Sequence, residues 1–187
     1  MLIRQHTPRS GFTLIELVIV VAILALVLMF GVPGFMEWSQ NTQIRASAES
    51  IQAGLQSARS EAVRRNARIE FRLSDNVGQE GETGWSIVEV STSTVLQSRP
   101  RAEGSNRVVV TTLPSGADII TFDGTGRTPS GASTNADGSA FLTRINIDSA
   151  ALSTASSRDL AITLSLGGQI RMCDPNVSTT GDPRKCS

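Results

Sequence analysis

The chain contains no tyrosine, one histidine, His6, and one lysine, Lys185. With so little imidazole and amine chemistry, the usual general base and the Ser/His and Cys/His nucleophile pairs drop out. Carboxylate chemistry stays formally open, yet no pair of acids carries a recognisable signature. The chain therefore reads as a non-enzyme with no catalytic residues. Two cysteines and that one histidine are too few ligands for a zinc site, so no metal or cofactor is expected. Excess charge is lacking as well. The 17 basic and 17 acidic side chains cancel, and net charge gives no argument for a polyanionic partner. No internal repeat is present.

What the chain does have is a long apolar run, residues 12–32, 21 residues in all. As a helix rising about 1.5 Å per residue it measures roughly 31 Å, the thickness of a hydrocarbon core. One charge interrupts it, Glu16. A carboxylate within a membrane span costs roughly 2.5–3.5 kcal/mol on insertion scales, which implies a role for this one. Arg4 and Arg9 precede the run with no acid among them, and Glu37 follows it. By the positive-inside tendency the N-terminus stays cytoplasmic and residues 35–187 are exported. A secretory signal would be cut beyond the run at a small-x-small site, and residues 28–35 offer none as good as Ala-x-Ala. A plain anchor has no reason to keep Glu16.

A short basic leader, then Gly11-Phe12-Thr13-Leu14-Ile15-Glu16, then an apolar stretch with Pro33 near its end resembles the prepilin signal of type IV pilins and type II secretion pseudopilins. The resemblance implies cleavage between Gly11 and Phe12 by a prepilin peptidase and N-methylation of Phe12. Residues 1–11 are then a discarded leader, His6 is lost with it, and 15 basic side chains remain against 17 acidic ones. Glu16 becomes the fifth residue of the mature chain. A buried carboxylate is tolerable beside a cation, and the nearest one in a helical filament is the Phe12 amine of a neighbouring subunit. Phe12 and Glu16 are thus the expected assembly pair.

The exported part, about 150 residues, suffices for one domain with a real core. Gly31, Pro33 and Gly34 are expected to break or bend the helix, because proline in a helix interior costs about 3 kcal/mol. Residues 12–34 then form the membrane and filament-core helix, and 35–66 an amphipathic helix. Ile44, Ala48, Ile51, Leu55, Ala58 and Ala62 fall on one face of it. Arg45, Glu49, Arg59, Glu61, Arg64 and Arg65 fall off that face. After Asn66 the period changes to two. Strands are expected around Ile69–Leu73, Trp85–Val90, Arg107–Leu113, Asp118–Phe122, Phe141–Ile147 and Leu160–Leu166, with Gly167-Gly168 turning the chain into Gln169–Cys173. The class is α+β and type IV pilin-like: a long N-terminal helix, membrane-spanning in its first half and amphipathic in its second, packed on an antiparallel β-sheet domain of residues 67–187. Loops 132–139 and 149–157, rich in Ser, Thr and Ala, are expected to be mobile.

Leu55-Gln56-Ser57-Ala58-Arg59-Ser60-Glu61-Ala62-Val63-Arg64-Arg65 resembles the helix signature of the GspH/FimT family of minor pilins and pseudopilins. Gly84-Trp85, Ile120-Thr121-Phe122-Asp123-Gly124 and Gly167-Gly168-Gln169-Ile170-Arg171-Met172-Cys173-Asp174-Pro175 extend it along the chain. It implies a pilus-assembly subunit, FimU-like more than FimT-like, at or near the pilus tip. Its partners would be other minor pilins and the major pilin, and it would be stored in the inner membrane before export into an extracellular pilus and twitching motility. The pseudopilus of type II secretion is the alternative within the family. Cys173 and Cys186 lie on the oxidising side and are expected to form a disulfide closing a C-terminal loop, as pilins often do, contributing about 3 kcal/mol. FimT-like members bind DNA through a C-terminal Gly-Arg-x-Arg motif. Here the stretch reads Gly168-Gln169-Ile170-Arg171, without the first arginine, so Arg171, Arg184 and Lys185 are candidate DNA contacts but DNA is not the favoured partner. Residues 135–139 and 123–127 resemble fragments of calcium and phosphate loops and are read as turns.

Overall fold

The computed structural model describes residues 11–74, 77–101, 105–128, 135 and 137–186. The leader, residues 1–10, lies outside them, as do 132–134 and 136 of the first Ser/Thr/Ala loop. The chain divides into two compact units, Met1–Met36 and Glu37–Ser187. Among the described residues, helix α1, Leu14–Arg65, is followed by eight strands: β1 Ile69–Leu73, β2 Trp85–Glu89, β3 Thr94–Arg99, β4 Val108–Leu113, β5 Ile119–Phe122, β6 Arg144–Ser149, β7 Leu160–Leu164 and β8 Ile170–Cys173.

The periodic face of α1 is the one that packs. Ile44, Ala48, Ile51, Leu55, Ala58 and Ala62 are all fully buried. They share one core with Ile69, Phe71 and Leu73 of β1, Trp85 and Ile87 of β2, Ile120 and Phe122 of β5, and Ile145, Ile147 and Ile162 of β6 and β7. Each such Ile, Leu or Phe contributes about 1.5–3 kcal/mol on burial, so this interface dominates the domain's stability. The approach is closest at Gly54, where a Cβ would sit 2.8 Å from Phe71 Cε2 and 3.0 Å from the Trp85 ring. Trp85 donates its indole N–H to Ser50 Oγ at 3.1 Å, so helix and sheet are also joined by a polar contact. The helix ends where Asn66 takes φ 49°. Its N–H bonds Val63 O and the Ala67 N–H reaches back to Ala62 O, the Schellman pattern that satisfies the last carbonyls.

The strands form two antiparallel four-stranded sheets rather than one, in the orders β3-β2-β1-β5 and β4-β6-β7-β8. The chain passes to the second sheet after β3, returns for β5 and passes again for β6. Local alternation cannot reveal which sheet a strand joins, because both present an apolar face to the same core. The extra strand, β3, is an edge strand with mostly exposed side chains, so it shows no alternation to read. Glu70 also departs from the alternating pattern, since its side chain is buried and accepts both Nε and Nη2 of Arg72, at 2.9 and 2.6 Å.

Several residues between the strands are hydrogen-bonded to the regular elements. The 149–157 loop is tethered to α1, with Asn41 Nδ2 donating to Ser156 O at 3.0 Å and the Arg158 N–H donating to Asn41 Oδ1 at 2.9 Å. Asn135 is buried at the free edge of β5, where Oδ1 accepts from the Thr121 N–H and Nδ2 donates to Ile119 O. Residues 123–127 form a turn in which Asp123 Oδ1 accepts from the Thr125 and Arg127 N–H groups, and Arg59 Nε donates to Gly126 O at 2.9 Å. The β7–β8 hairpin packs on the same turn. At Gly168, with φ +77°, a Cβ would collide with the Gly126 carbonyl.

Candidate functional site

The residues expected to pair in assembly, Phe12 and Glu16, lie in the first unit. Gly11, Phe12 and Thr13 precede the helix, which begins at Leu14. Apolar side chains from Phe12 to Met29 are exposed on every side of it. No single helix among the described residues is long and apolar enough to cross a membrane. Leu14–Met29 and Gly34–Arg65, taken together as one interrupted span, meet that requirement by length and composition. Gly31 and Pro33 fall in the interruption between those two parts and Gly34 opens the second, all within the bounds of α1.

Glu16 is held by a reciprocal pair of bonds. Its backbone N–H donates to Thr13 Oγ1 at 3.3 Å, and its Oε2 accepts the Thr13 N–H at 3.4 Å. This is a capping box, in which Thr13 and Glu16 satisfy N–H groups that the first helical turn leaves unpaired. In an apolar surround such groups are costly to leave bare, so the carboxylate has a local structural task. The signal was present in the sequence as Thr-x-x-Glu opening an apolar run, and its local meaning was missed beside the expected intersubunit one.

At the far end of the chain, Cys173 and Cys186 form a disulfide across a separation of 13 residues. The loop between them is organised from within. The Asp174 N–H donates to Arg184 O at 2.7 Å, and the Lys185 N–H to Asp182 O at 3.1 Å. All three candidate DNA contacts take part. The Arg171 guanidinium donates to Pro183 O and, at 3.2 Å, to Lys185 O. Arg184 pairs with Asp182 at 2.9 Å, and that guanidinium holds the Asp182 carboxyl below its ordinary range. Lys185 Nζ donates to Ser178 O at 3.1 Å. The fold therefore brings Arg171, Arg184 and Lys185 together and engages each in shaping the loop. Beside it, a groove of about 440 Å³ runs between α1 and the loop, floored by Leu160, Met172 and Pro183 and flanked by Arg45 and Arg184.

The profile of the family described as type II transport protein GspH matches residues 47–168, more than half of the chain. A prokaryotic N-terminal methylation motif matches residues 7–32. Among solved structures, the crystal structure of the type IV minor pilin FimU from Pseudomonas aeruginosa PAO1 is similar, with a TM-score of 0.53 at 17% identity, covering 76% of this chain and 97% of that one. A second crystal form of FimU gives 0.48 at 17% identity over 73% and 97% of the two chains. The solution structure of E. coli GspH gives 0.43 at 14% identity over 74% and 92%. At these identities the likeness to FimU is one of fold. No curated protein sequence matches the chain.

Proposed function

Because the chain belongs to the GspH family of type IV pilin-like proteins, we propose that it is a minor pilin, stored in the inner membrane by its N-terminal helix and then built into a type IV pilus at or near the tip. The family is one of structural subunits of pilus and pseudopilus complexes, and its methylation motif implies a membrane-anchored N-terminal helix. The observation that carries the finer reading is Glu16 itself, an acid in the first turn of a helix whose other side chains to Met29 are apolar and exposed. Such a surface has to be covered, by lipid before assembly and by the helices of neighbouring pilins after it.

In this reading the peptidase cuts between Gly11 and Phe12, and the new Phe12 amine is methylated. The Glu16 carboxylate of one subunit draws in the amine of the next, fixing register as the helix leaves the lipid. The capping bonds to Thr13 keep the carboxylate at the head of the helix until that partner arrives. Gly31, Pro33 and Gly34 supply a point of adjustment between the packed filament helix and the domain. The β-domain faces the other minor pilins and the major pilin, and the disulfide-closed C-terminal loop supports a pilus subunit over a secretion pseudopilin.

The test is Glu16→Ala in the full-length chain. Membrane insertion should be unchanged, while the variant should disappear from sheared filaments on immunoblot. Normal incorporation would sink the pairing, and a mature protein still beginning at Met1 by mass spectrometry would remove prepilin processing.

A further inference from the structure

Asp148 is the penultimate residue of β6, and Asp159 stands just before β7. The register pairs Ile147 with Leu160, so the next position along the two strands sets Asp148 opposite Asp159. Like charges placed directly opposite across a strand pair are destabilising. The two carboxyls also converge on one hydroxyl. Ser157 Oγ, on a buried side chain, lies 2.9 Å from Asp148 Oδ1 and 2.5 Å from Asp159 Oδ1. A hydroxyl has a single hydrogen to donate, so both contacts are hydrogen bonds only when one carboxyl carries a proton and donates to Ser157 in return. Among the described residues neither carboxyl forms an ion pair, so no fixed cation stands in for that proton.

We infer that Asp148, Ser157 and Asp159 form a proton-operated latch at the base of the 149–158 loop: one proton shared by the two carboxyls closes it, and loss of that proton to water loosens the loop from α1. The loop so closed is the one that grips the helix. Asn41 bonds the residues on either side of Ser157, accepting from the Arg158 N–H and donating to Ser156 O, and Ser149 Oγ donates to Gln40 Oε1 at 3.3 Å. The surrounding charges leave the pair in control. Asp159 lines a cavity of about 310 Å³ with Arg45 of α1, Arg158 of the loop and Asp174 beyond β8, and Arg45 is engaged by Glu49 at 2.8 Å. On β6, Arg144 donates to Asn146; across β4, uncharged Val109 stands beside Asp148 with Glu80 beyond it. Burial first, and Asp148 second, push the Asp159 carboxyl above its ordinary range, the direction a shared proton requires. The latch is therefore closed below the ordinary aspartate value of about 3.9 and opens as pH rises through the raised folded value.

Hydrogen–deuterium exchange of the full-length chain in detergent micelles, followed by mass spectrometry across a pH series and corrected for the intrinsic pH dependence of exchange, tests the latch. The Ser156, Ser157 and Arg158 N–H groups are all hydrogen-bonded and report on the loop. Their protection should fall severalfold as pH rises, while that of Ile69–Leu73 in β1 stays constant. Asp148→Asn removes one charge and supplies an amide donor in place of the shared proton, so it should keep the acid level of loop protection at every pH. Asp159→Asn should do the same from the other side of Ser157. Loop protection that does not change with pH in the wild type, or that falls as much in both variants, overturns the inference. So does a fall shared equally by β1, because the whole domain would then be opening.

Discussion

Arg171→Ala gives a direct measure of what the C-terminal loop depends on. The guanidinium donates to two carbonyls, Pro183 O and Lys185 O, across a loop that the 173–186 disulfide closes covalently. A hydrogen bond from a charged donor is worth about 1.5–3 kcal/mol, and Arg171 is only partly buried, so water recovers part of it on truncation. Taking about 1 kcal/mol for each bond, the variant loses about 2 kcal/mol, which for a domain of this size lowers the Tm by roughly 4–8 °C. The assay is thermal unfolding of the unit Glu37–Ser187 followed by circular dichroism. Arg171→Lys keeps the charge but offers a compact ammonium in place of a planar fork, so it should recover less than half of the loss. The same pair of variants separates loop shaping from phosphate contact. An electrostatic contact to DNA would survive in the lysine variant, whereas the loop geometry would not. A Tm for Arg171→Ala within about 1 °C of wild type would refute the argument, since the loop would then be held by the disulfide and backbone bonds alone.

Reduction of the disulfide, or Cys173→Ala with Cys186→Ala, should cost about 3 kcal/mol, seen as a Tm lower by roughly 6–12 °C. Combined with Arg171→Ala, the loss should exceed the sum of the two, because each constraint orders the same loop, and a double-mutant cycle measures the excess. Gly54→Val forces a branched side chain into the Phe71 and Trp85 rings, a clash already present at Cβ; it should cost about 2 kcal/mol and lower the urea midpoint at unchanged m-value. The Asp159 carboxyl is pushed above its ordinary range, by burial first and by neighbouring Asp148 second. A raised carboxyl favours the folded state below its unfolded pKa, and that contribution is lost as pH rises through the folded value. Asp159→Asn should therefore raise the Tm at pH 7, by the equivalent of less than about 1 kcal/mol, and raise it less in acid; an equal shift at both pH values would contradict the assignment.

Much of this architecture could be read before any coordinates because it is written in local periods. A helical face is set by residues three and four apart, so Ile44 to Ala62 declared their burial in the sequence. Residues 69–73 and 160–164 likewise declared themselves strands by alternation. The apolar run with its lone Glu16 and the two late cysteines are equally local facts. The tertiary structure decided what local period cannot carry. Membership of two sheets depends on pairing between distant segments, and β3 becomes a strand only because β2 lies beside it. Asn135 and Thr121, far apart in the sequence, meet at one strand edge, which turned a presumed turn residue into a buried one. Arg171 was legible in the sequence only as a candidate DNA contact, and the fold adds the Pro183 and Lys185 carbonyls against it. Two tryptophans with the same chemistry went to opposite environments, because Trp85 faces the helix across the close approach at Gly54 and Trp38 lies off the buried face of that helix.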